Sequence, residues 1–200
     1  MLKTIILCFL FLLLNDVFAS GGTSSVGGGG DASAIRSLIM KHRKEYLIKG
    51  LINTFSERPK NVRTYVKHII GMYAENLLEV KEPNAKKIFQ DMIENGLRED
   101  IKKIEFVISR KCLDQSNIER SASTKMNDRG GVICINPYRI VDEFGPYIQS
   151  SDIIGLVMHE IAHHYGYEDE DHFFAASMAM NHYEVDEVHR LKGYDLRLIP

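Results

Sequence analysis

The chain has 200 residues, of which 44% are hydrophobic, and its 25 Lys and Arg residues nearly balance 27 Asp and Glu residues, for a formal net charge of −2. This length suits one domain with a single sizeable core. The near-neutral charge favours neither a nucleic acid nor an anionic membrane surface as a partner, and we expect neither.

The first nineteen residues have the pattern of an export signal. Lys3 is the positive start, residues 5–14 are apolar, and Ala19 is the small residue before the expected cleavage at Ser20. No stable membrane anchor is expected, because the apolar run is too short to span a bilayer comfortably. We predict a secreted or periplasmic protein with residues 1–19 as signal peptide, 20–30 as a flexible Gly- and Ser-rich linker and 31–200 as the folded domain.

Three amphipathic helices are predicted in the first half of the domain, where they form a helical scaffold. The first covers residues 32–55, the second follows Pro59, and the third lies between Pro83 and Gly96. Their apolar stripes are typical of faces that pack in a core. The stripes contain Ile35, Leu38, Ile39, Tyr46, Leu51, Ile52 and Phe55 in the first helix, Val62, Tyr65, Val66, Ile69, Ile70, Tyr73 and Leu77 in the second, and Ile88, Phe89, Met92 and Ile93 in the third.

The hydrophobic period then changes from that of a helix to that of a strand. Ile104, Phe106 and Ile108 alternate with polar or smaller residues, which predicts a half-buried strand. The short apolar run at residues 130–137 predicts a second strand, either interior to a small sheet or at an exposed edge that could bind an extended peptide. The polar residues 114–129 between them are predicted to form a loop or lid.

Cys8 lies in the predicted signal peptide, so the mature chain would retain two cysteines, Cys112 and Cys134. An exported chain favours one disulfide between them, closing a loop of about twenty residues, over two separate buried thiols. A zinc–thiolate site is disfavoured, because neither cysteine has a partner at CxxC spacing.

A further helix is predicted over residues 150–166, capped by Ser150, Ser151 or Asp152 and ended by Gly166. Acidic residues 168–171 follow, and then a C-terminal helix over about 172–191. The packing face of this last helix is predicted to contain Phe173, Phe174, Met178, Tyr183 and Val188. The predicted fold is therefore α+β: a helical N-terminal scaffold, a small β-sheet, and an active-site helix followed by a C-terminal helix.

The helix over residues 150–166 contains the pattern HExxH. Residues four apart share one helix face, so His159 and His163 can direct ring nitrogens to one zinc ion. Glu160 projects beside them, where its carboxylate can take a proton from a water that zinc makes acidic. Ile154, Met158 and Ala162 surround this face, and such an apolar shell orients metal ligands.

The eleven residues HEIAHHYGYED, His159 to Asp169, resemble the zinc-binding consensus HExxHxxGxxD of the metzincin clan of metallopeptidases. The resemblance implies His159, His163 and Asp169 as zinc ligands, Glu160 as general base, and Gly166 as the turn between the second and third ligands. Metzincins also place a Met in a tight turn beneath the metal. Met178 and Met180 are the residues that this chain offers there, within a stretch predicted to be helical.

Other residues compete for the role of third ligand. Glu184 lies at about the spacing of the gluzincins, which take this ligand from the next helix, although a solvated acidic face, with Asp186 and Glu187 nearby, is the favoured explanation. His172 is a further possibility, and Asp169 itself could be a helix cap. An oxyanion hydrogen bond could come from any of four tyrosines, among which the sequence does not choose: Tyr165, Tyr167, Tyr183 and Tyr194.

These residues predict an exported zinc-dependent metallopeptidase that binds Zn²⁺ and cleaves a peptide or protein substrate. The alternative is a non-catalytic, zinc-stabilised exported binding or envelope protein, in which a fourth group closes the coordination sphere. A third possibility is an exported helical protein without metal, held by its disulfide and its core.

Overall fold

The computed structural model describes residues 32–75, 79–168 and 172–180. The chain divides into two compact units, Met1–Arg36 and Ser37–Pro200, and residues 32–36 are the only described part of the first, where they are helical. The predicted signal peptide and linker lie outside the described residues. So do the third-ligand candidates Asp169 and Glu184.

The N-terminal half is helical, as predicted. Helix α1 covers Ala32–Ile52 and continues into a π-helical turn at Asn53–Glu57, after which α2 covers Pro59–Ala74. Helices α3, Pro83–Glu94, and α4, Leu97–Asp100, follow. Proline stands in the first turn of α2 and of α3, where its missing N–H has no intrahelical partner to lose. The predicted stop at Gly96 is confirmed, because this residue adopts a φ of +102° between α3 and α4.

The apolar stripe predicted for α1 is only half correct. Leu51 and Phe55 are buried, but four members of the stripe are 53–59% exposed: Ile35, Leu38, Ile39 and Tyr46. The side of α1 that meets the core instead carries Leu47, Gly50 and Leu51 in the last turns of the helix. A helical stripe thus identifies a face, but burial depends on whether another element covers that face.

A three-stranded sheet follows the helices, with strand order β1-β5-β4. Strand β1, Glu105–Ile108, pairs in parallel with β5, Val132–Ile135, in the register Phe106 with Ile133. On its other side β5 pairs antiparallel with β4, Ala122–Thr124. The second predicted strand is therefore β5, and it is interior to this sheet.

Strand β4 and a further short strand, β3, lie in the stretch that is predicted to be a loop or lid. Strand β2, Cys112–Leu113, pairs antiparallel with β3, Glu119–Arg120, in a two-stranded sheet, and β4 comes directly after β3. The loop prediction for residues 114–129 is wrong at β3 and β4. Both strands are too short and too polar to show alternation, so pairing with their neighbours decides their conformation.

The predicted disulfide between Cys112 and Cys134 is confirmed, with Cα atoms 5.6 Å apart and 22 residues of sequence separation. It joins the β2–β3 hairpin to the interior strand β5. The hairpin is thereby held against the sheet by a covalent bond.

Four helical segments complete the described chain: α5, Pro137–Phe144; a 3₁₀ turn, Gly145–Tyr147; α6, Ser150–His164; and α7, residues 173–180. Helix α5 was not predicted, although Asn136 and Pro137 form a recognisable start, with the Asn136 side chain accepting a hydrogen bond from the Arg139 N–H at 3.1 Å. The N-cap of helix α6 lies one residue before the predicted caps. Gln149 is its N-cap, and Asp152 accepts the Gln149 N–H at 2.8 Å.

Helix α6 lies in the core and α7 packs against it. The burial predicted for the apolar residues of α6 is confirmed, since Ile154, Met158 and Ala162 are fully buried. A Cβ atom on Gly155 would lie only 2.9 Å from the Ala175 carbonyl oxygen, so α7 approaches α6 at this glycine. Phe174 and Met178 of α7 are buried as predicted, whereas Phe173 is 62% exposed.

The fold is mixed α+β, as predicted: a helical scaffold, a small sheet and a buried helix followed by another helix. No helix in the described ranges is long and apolar enough to cross a membrane.

Removing the disulfide should lower the free energy of unfolding. For the double variant Cys112→Ala/Cys134→Ala we expect a loss of about 3 kcal/mol, because a loop of 22 residues is no longer closed in the unfolded chain. Urea unfolding of both proteins without metal measures this loss. A loss below about 1 kcal/mol, or no change when the wild type is reduced, would contradict the constraint.

Candidate metal centre

Helix α6 brings the two predicted histidine ligands together. The Nε2 atoms of His159 and His163 lie 3.0 Å apart, and the ring centroids lie 4.4 Å apart with the rings nearly perpendicular at 75°. Two nitrogen ligands of a tetrahedral zinc ion, each about 2.05 Å from the metal, are about 3.3 Å apart. A shift of a few tenths of an ångström would therefore let both nitrogens bind one zinc ion.

The protonation of His163 follows from its second ring nitrogen. Its Nδ1 lies 2.8 Å from the carbonyl oxygen of Tyr167. A carbonyl oxygen only accepts hydrogen bonds, so Nδ1 carries the proton and the neutral ring leaves a lone pair on Nε2. Metal-binding histidines commonly donate their other N–H to a carbonyl or carboxylate in this way. His163 is thus oriented and protonated as a metal ligand requires.

The carbonyl of Tyr167 is positioned by the turn that ends α6. The Tyr167 N–H donates to the Ala162 carbonyl at 3.1 Å, and the Gly166 N–H donates to the His163 carbonyl at 3.0 Å. This double closure is a Schellman turn, and Gly166 supplies its left-handed residue with a φ of +82°. The Asn127 N–H also donates to the His163 carbonyl, at 3.0 Å. The prediction that Gly166 ends this helix is confirmed.

Two tyrosine hydroxyls anchor this turn to the helical scaffold. Tyr165 donates to Asp100 at 2.9 Å, and Tyr167 donates to Asp91 of α3. Burial, followed by the bond to Asp91, raises the pKa of Tyr167 to about 12, and burial with the bond to Asp100 raises that of Tyr165 as well. Both hydroxyls remain protonated donors at neutral pH, engaged with carboxylates of the scaffold.

Glu160, the predicted general base, is buried in the same helix as the histidine pair. Its side chain is 4% exposed, and burial raises its pKa from 4.5 to about 8, against a smaller opposing effect of Arg120. The metal-free protein therefore keeps this carboxyl protonated at neutral pH. A divalent cation on the neighbouring imidazoles would favour the ionised form, because an opposite charge nearby lowers the pKa of a carboxyl group.

His164, next to His163, connects α6 to the sheet. It is fully buried, and its Nε2 lies 2.5 Å from Thr124 Oγ1, whose hydroxyl donates to the Val132 carbonyl at 2.7 Å. Because that hydroxyl proton is used, Nε2 of His164 donates to Thr124, and burial lowers the pKa of the ring. Its Nδ1 has no hydrogen-bond partner in the described part of the chain. The sequence did not identify this contact, although the position of His164 among buried residues of α6 was a signal.

The described residues include no complete metal site. Within residues 32–75, 79–168 and 172–180, no group of three or more His, Cys, Asp or Glu side chains could hold a metal ion. His172, one candidate for third ligand, is exposed, and its ring centroid lies 5.0 Å from that of His159. Met178 and Met180 both lie within helix α7, so neither forms the tight turn that the metzincin resemblance implies.

The donors that are present suit zinc. Neutral imidazole is a usual ligand of this metal, although it also suits copper, iron and nickel. Ile154, Met158 and Ala162 of the same helix are fully buried. The two imidazole nitrogens are therefore compatible with Zn²⁺.

Gly166→Ala should destabilise the turn that orients His163. An alanine Cβ would be held at a φ of +82° and would lie 2.5 Å from Asn127 Oδ1. We expect a loss of about 1–2 kcal/mol in the free energy of unfolding and weaker zinc binding. The matched control is Gly71→Ala within α2, where a Cβ meets nothing within 4 Å. That variant should gain up to about 1 kcal/mol. Urea unfolding and zinc titration check both, and equal stability of the two variants would argue against the strained turn.

Glu160→Gln should change how the stability of the metal-free protein depends on pH. The folded-state pKa of Glu160 lies above its ordinary 4.5, so its contribution to stability is complete below pH 4.5 and is lost as the pH rises through about 8. The variant lacks this loss. In the presence of a chelator, its free energy of unfolding should rise relative to wild type from about pH 5 to about pH 9. A constant difference over that range would show that Glu160 titrates normally.

Comparison with known proteins identifies no relative of this chain: no protein-family model, no curated protein and no solved structure matches it. The function proposed below therefore draws on the chain's own residues and on the resemblance of eleven of them to a known motif.

Proposed function

We propose that the protein is an exported zinc-dependent metallopeptidase that hydrolyses peptide bonds. The observation that carries this proposal is the meeting of the His159 and His163 Nε2 atoms at 3.0 Å, with His163 fixed by the Tyr167 carbonyl. Glu160, the residue after His159 in the same helix, is buried. Asp169 is proposed as the third ligand from its place in the motif, and it lies outside the described residues.

The proposed division of labour assigns binding to the imidazoles and proton transfer to Glu160. A bound zinc ion would polarise the scissile carbonyl and make a water molecule acidic enough to ionise near neutral pH. Glu160 accepts the proton of that water and later passes it to the leaving amine. Burial raises the pKa of this carboxyl in the metal-free protein, and a bound cation would lower it again, toward the range in which a carboxylate accepts a proton at neutral pH.

Strand β4 supports a site for an extended substrate. It ends the three-stranded sheet, runs antiparallel to β5, and belongs to the part of the sheet that His164 fastens to α6 through Thr124. A peptide that adds to such an edge is bound mainly through its backbone. We therefore place the substrate along β4, whereas the sequence suggested that the second predicted strand, β5, could be that edge.

Export of the protein is part of the proposal. The disulfide between Cys112 and Cys134 supports it, because such bonds form and persist in oxidising compartments. The proposed organisation has residues 1–19 as signal peptide, 20–30 as linker and 31–200 as the metallopeptidase domain. The proposed location is the periplasm or the medium.

A second candidate function is a non-catalytic, zinc-stabilised exported binding or envelope protein. The ring of His172 beside His159 favours it, because a further imidazole could close the coordination position that catalysis needs. In that case zinc would stabilise the fold and no substrate would be cleaved.

Zinc content and hydrolysis of a denatured protein, measured on wild type and five variants, separate these functions. Glu160→Gln should lower kcat by about 10²–10⁴-fold and keep its zinc, because only proton transfer is removed. His163→Ala should lose both zinc and activity, and Asp169→Ala should do the same if it is the third ligand. The matched control is Glu57→Gln, an exposed carboxyl in the π-helical turn, which should behave as wild type.

Three outcomes would change the assignment. A wild-type protein that binds less than about half an equivalent of zinc counts against both metal-dependent functions. Full zinc with no hydrolysis favours the binding protein. Loss of zinc and activity in Glu184→Ala, with Asp169→Ala unchanged, would transfer the third ligand to Glu184.

A further inference from the structure

His172 stands at the start of α7 with its ring against that of His159. Its carbonyl accepts a hydrogen bond from the Ala176 N–H at 2.9 Å, which makes it the residue before the first turn of that helix. Its ring centroid lies 5.0 Å from that of His159, with 62° between the ring planes. The side chain is also exposed, so a substrate could reach it.

The packing of α7 holds His172 in this place. Phe174, two residues further on, is 1% exposed, and the Ala175 carbonyl lies so near Gly155 of α6 that a Cβ there would meet it at 2.9 Å. The backbone of His172 has a φ of +54°, a left-handed conformation uncommon for residues other than glycine. Such a conformation persists only where the surrounding structure determines it, and it is found often at functional sites.

Two of the tyrosines that could have served as oxyanion donors are engaged elsewhere. The hydroxyl of Tyr165 donates to Asp100, and that of Tyr167 donates to Asp91, both in the helical scaffold. Tyr183 and Tyr194 lie outside the described residues. Among the described residues, His172 is thus the exposed hydrogen-bond donor whose ring contacts a predicted zinc ligand.

We propose that His172 is a catalytic residue that donates an imidazole N–H to the oxygen of the scissile carbonyl as negative charge develops there. This inference rests on the proposed peptidase function. The imidazole keeps its proton throughout, since Glu160 moves the proton from water to the leaving amine. A donor aimed at developing charge stabilises the transition state more than the bound substrate, and therefore acts on kcat.

The test compares wild type with His172→Ala and His172→Gln, with His42→Ala on the exposed face of α1 as the matched control. Four quantities are measured: kcat, KM, zinc affinity by competition with a chromogenic chelator, and binding of a phosphonamidate peptide that carries an oxyanion. For His172→Ala we expect kcat to fall by about 10²–10³-fold and phosphonamidate binding to weaken by a similar factor, with KM and zinc affinity within about threefold of wild type.

His172→Gln retains an N–H donor and should recover about tenfold of the lost kcat, which a purely structural role would not produce. The inference is overturned if His172→Ala matches wild type in kcat and in phosphonamidate binding. It is also overturned if zinc affinity falls by more than about tenfold, because His172 would then be a metal ligand. A zinc-loaded wild type that hydrolyses nothing overturns the proposed function and the role of His172 together.

Discussion

The hydrogen bond from His163 Nδ1 to the Tyr167 carbonyl is the contact on which the candidate site depends. It selects the tautomer of His163 and sets the direction of its Nε2. The carbonyl can occupy that position only because α6 ends in a left-handed Gly166, and the turn is held from outside by hydrogen bonds of Tyr165 and Tyr167 to the scaffold. The helical first half of the chain thus acts at a distance of 65 or more residues in sequence to orient one imidazole.

The parts of the fold that depend on short-range sequence patterns could be predicted from the sequence. The helices begin at prolines and caps, and the spacing of His159, Glu160 and His163 in one helix determines that the two rings share a face. What could not be predicted depends on contacts between distant segments. Strand β4 has three residues and little apolar character, so only its pairing with β5 defines it. The exposed half of the α1 stripe was mispredicted for the same reason, since no local signal says which face another element covers.

In the candidate site, too, the local pattern could be predicted and the contacts between distant segments could not. The histidine pair was visible as a motif, whereas the carbonyl that orients His163 and the contact that joins the adjacent His164 to the sheet were not, because a carbonyl has no sequence signature and the hydroxyl of Thr124 is 40 residues from His164. His164 illustrates the cost of such an arrangement. Its Nδ1 is buried without a hydrogen-bond partner in the described part of the chain, and a buried unsatisfied acceptor costs about 1–3 kcal/mol.

The disulfide between Cys112 and Cys134 can form only in an oxidising compartment, so the structure around it depends on where the chain is. Cys134 of β5 lies opposite Ser123 of β4 in the sheet register, so the bond is one strand away from the strand that we place beside the substrate. In a reducing compartment the hairpin and β5 lack this link. If the protein is the exported peptidase that we propose, the link is added only after the chain has left the compartment that made it.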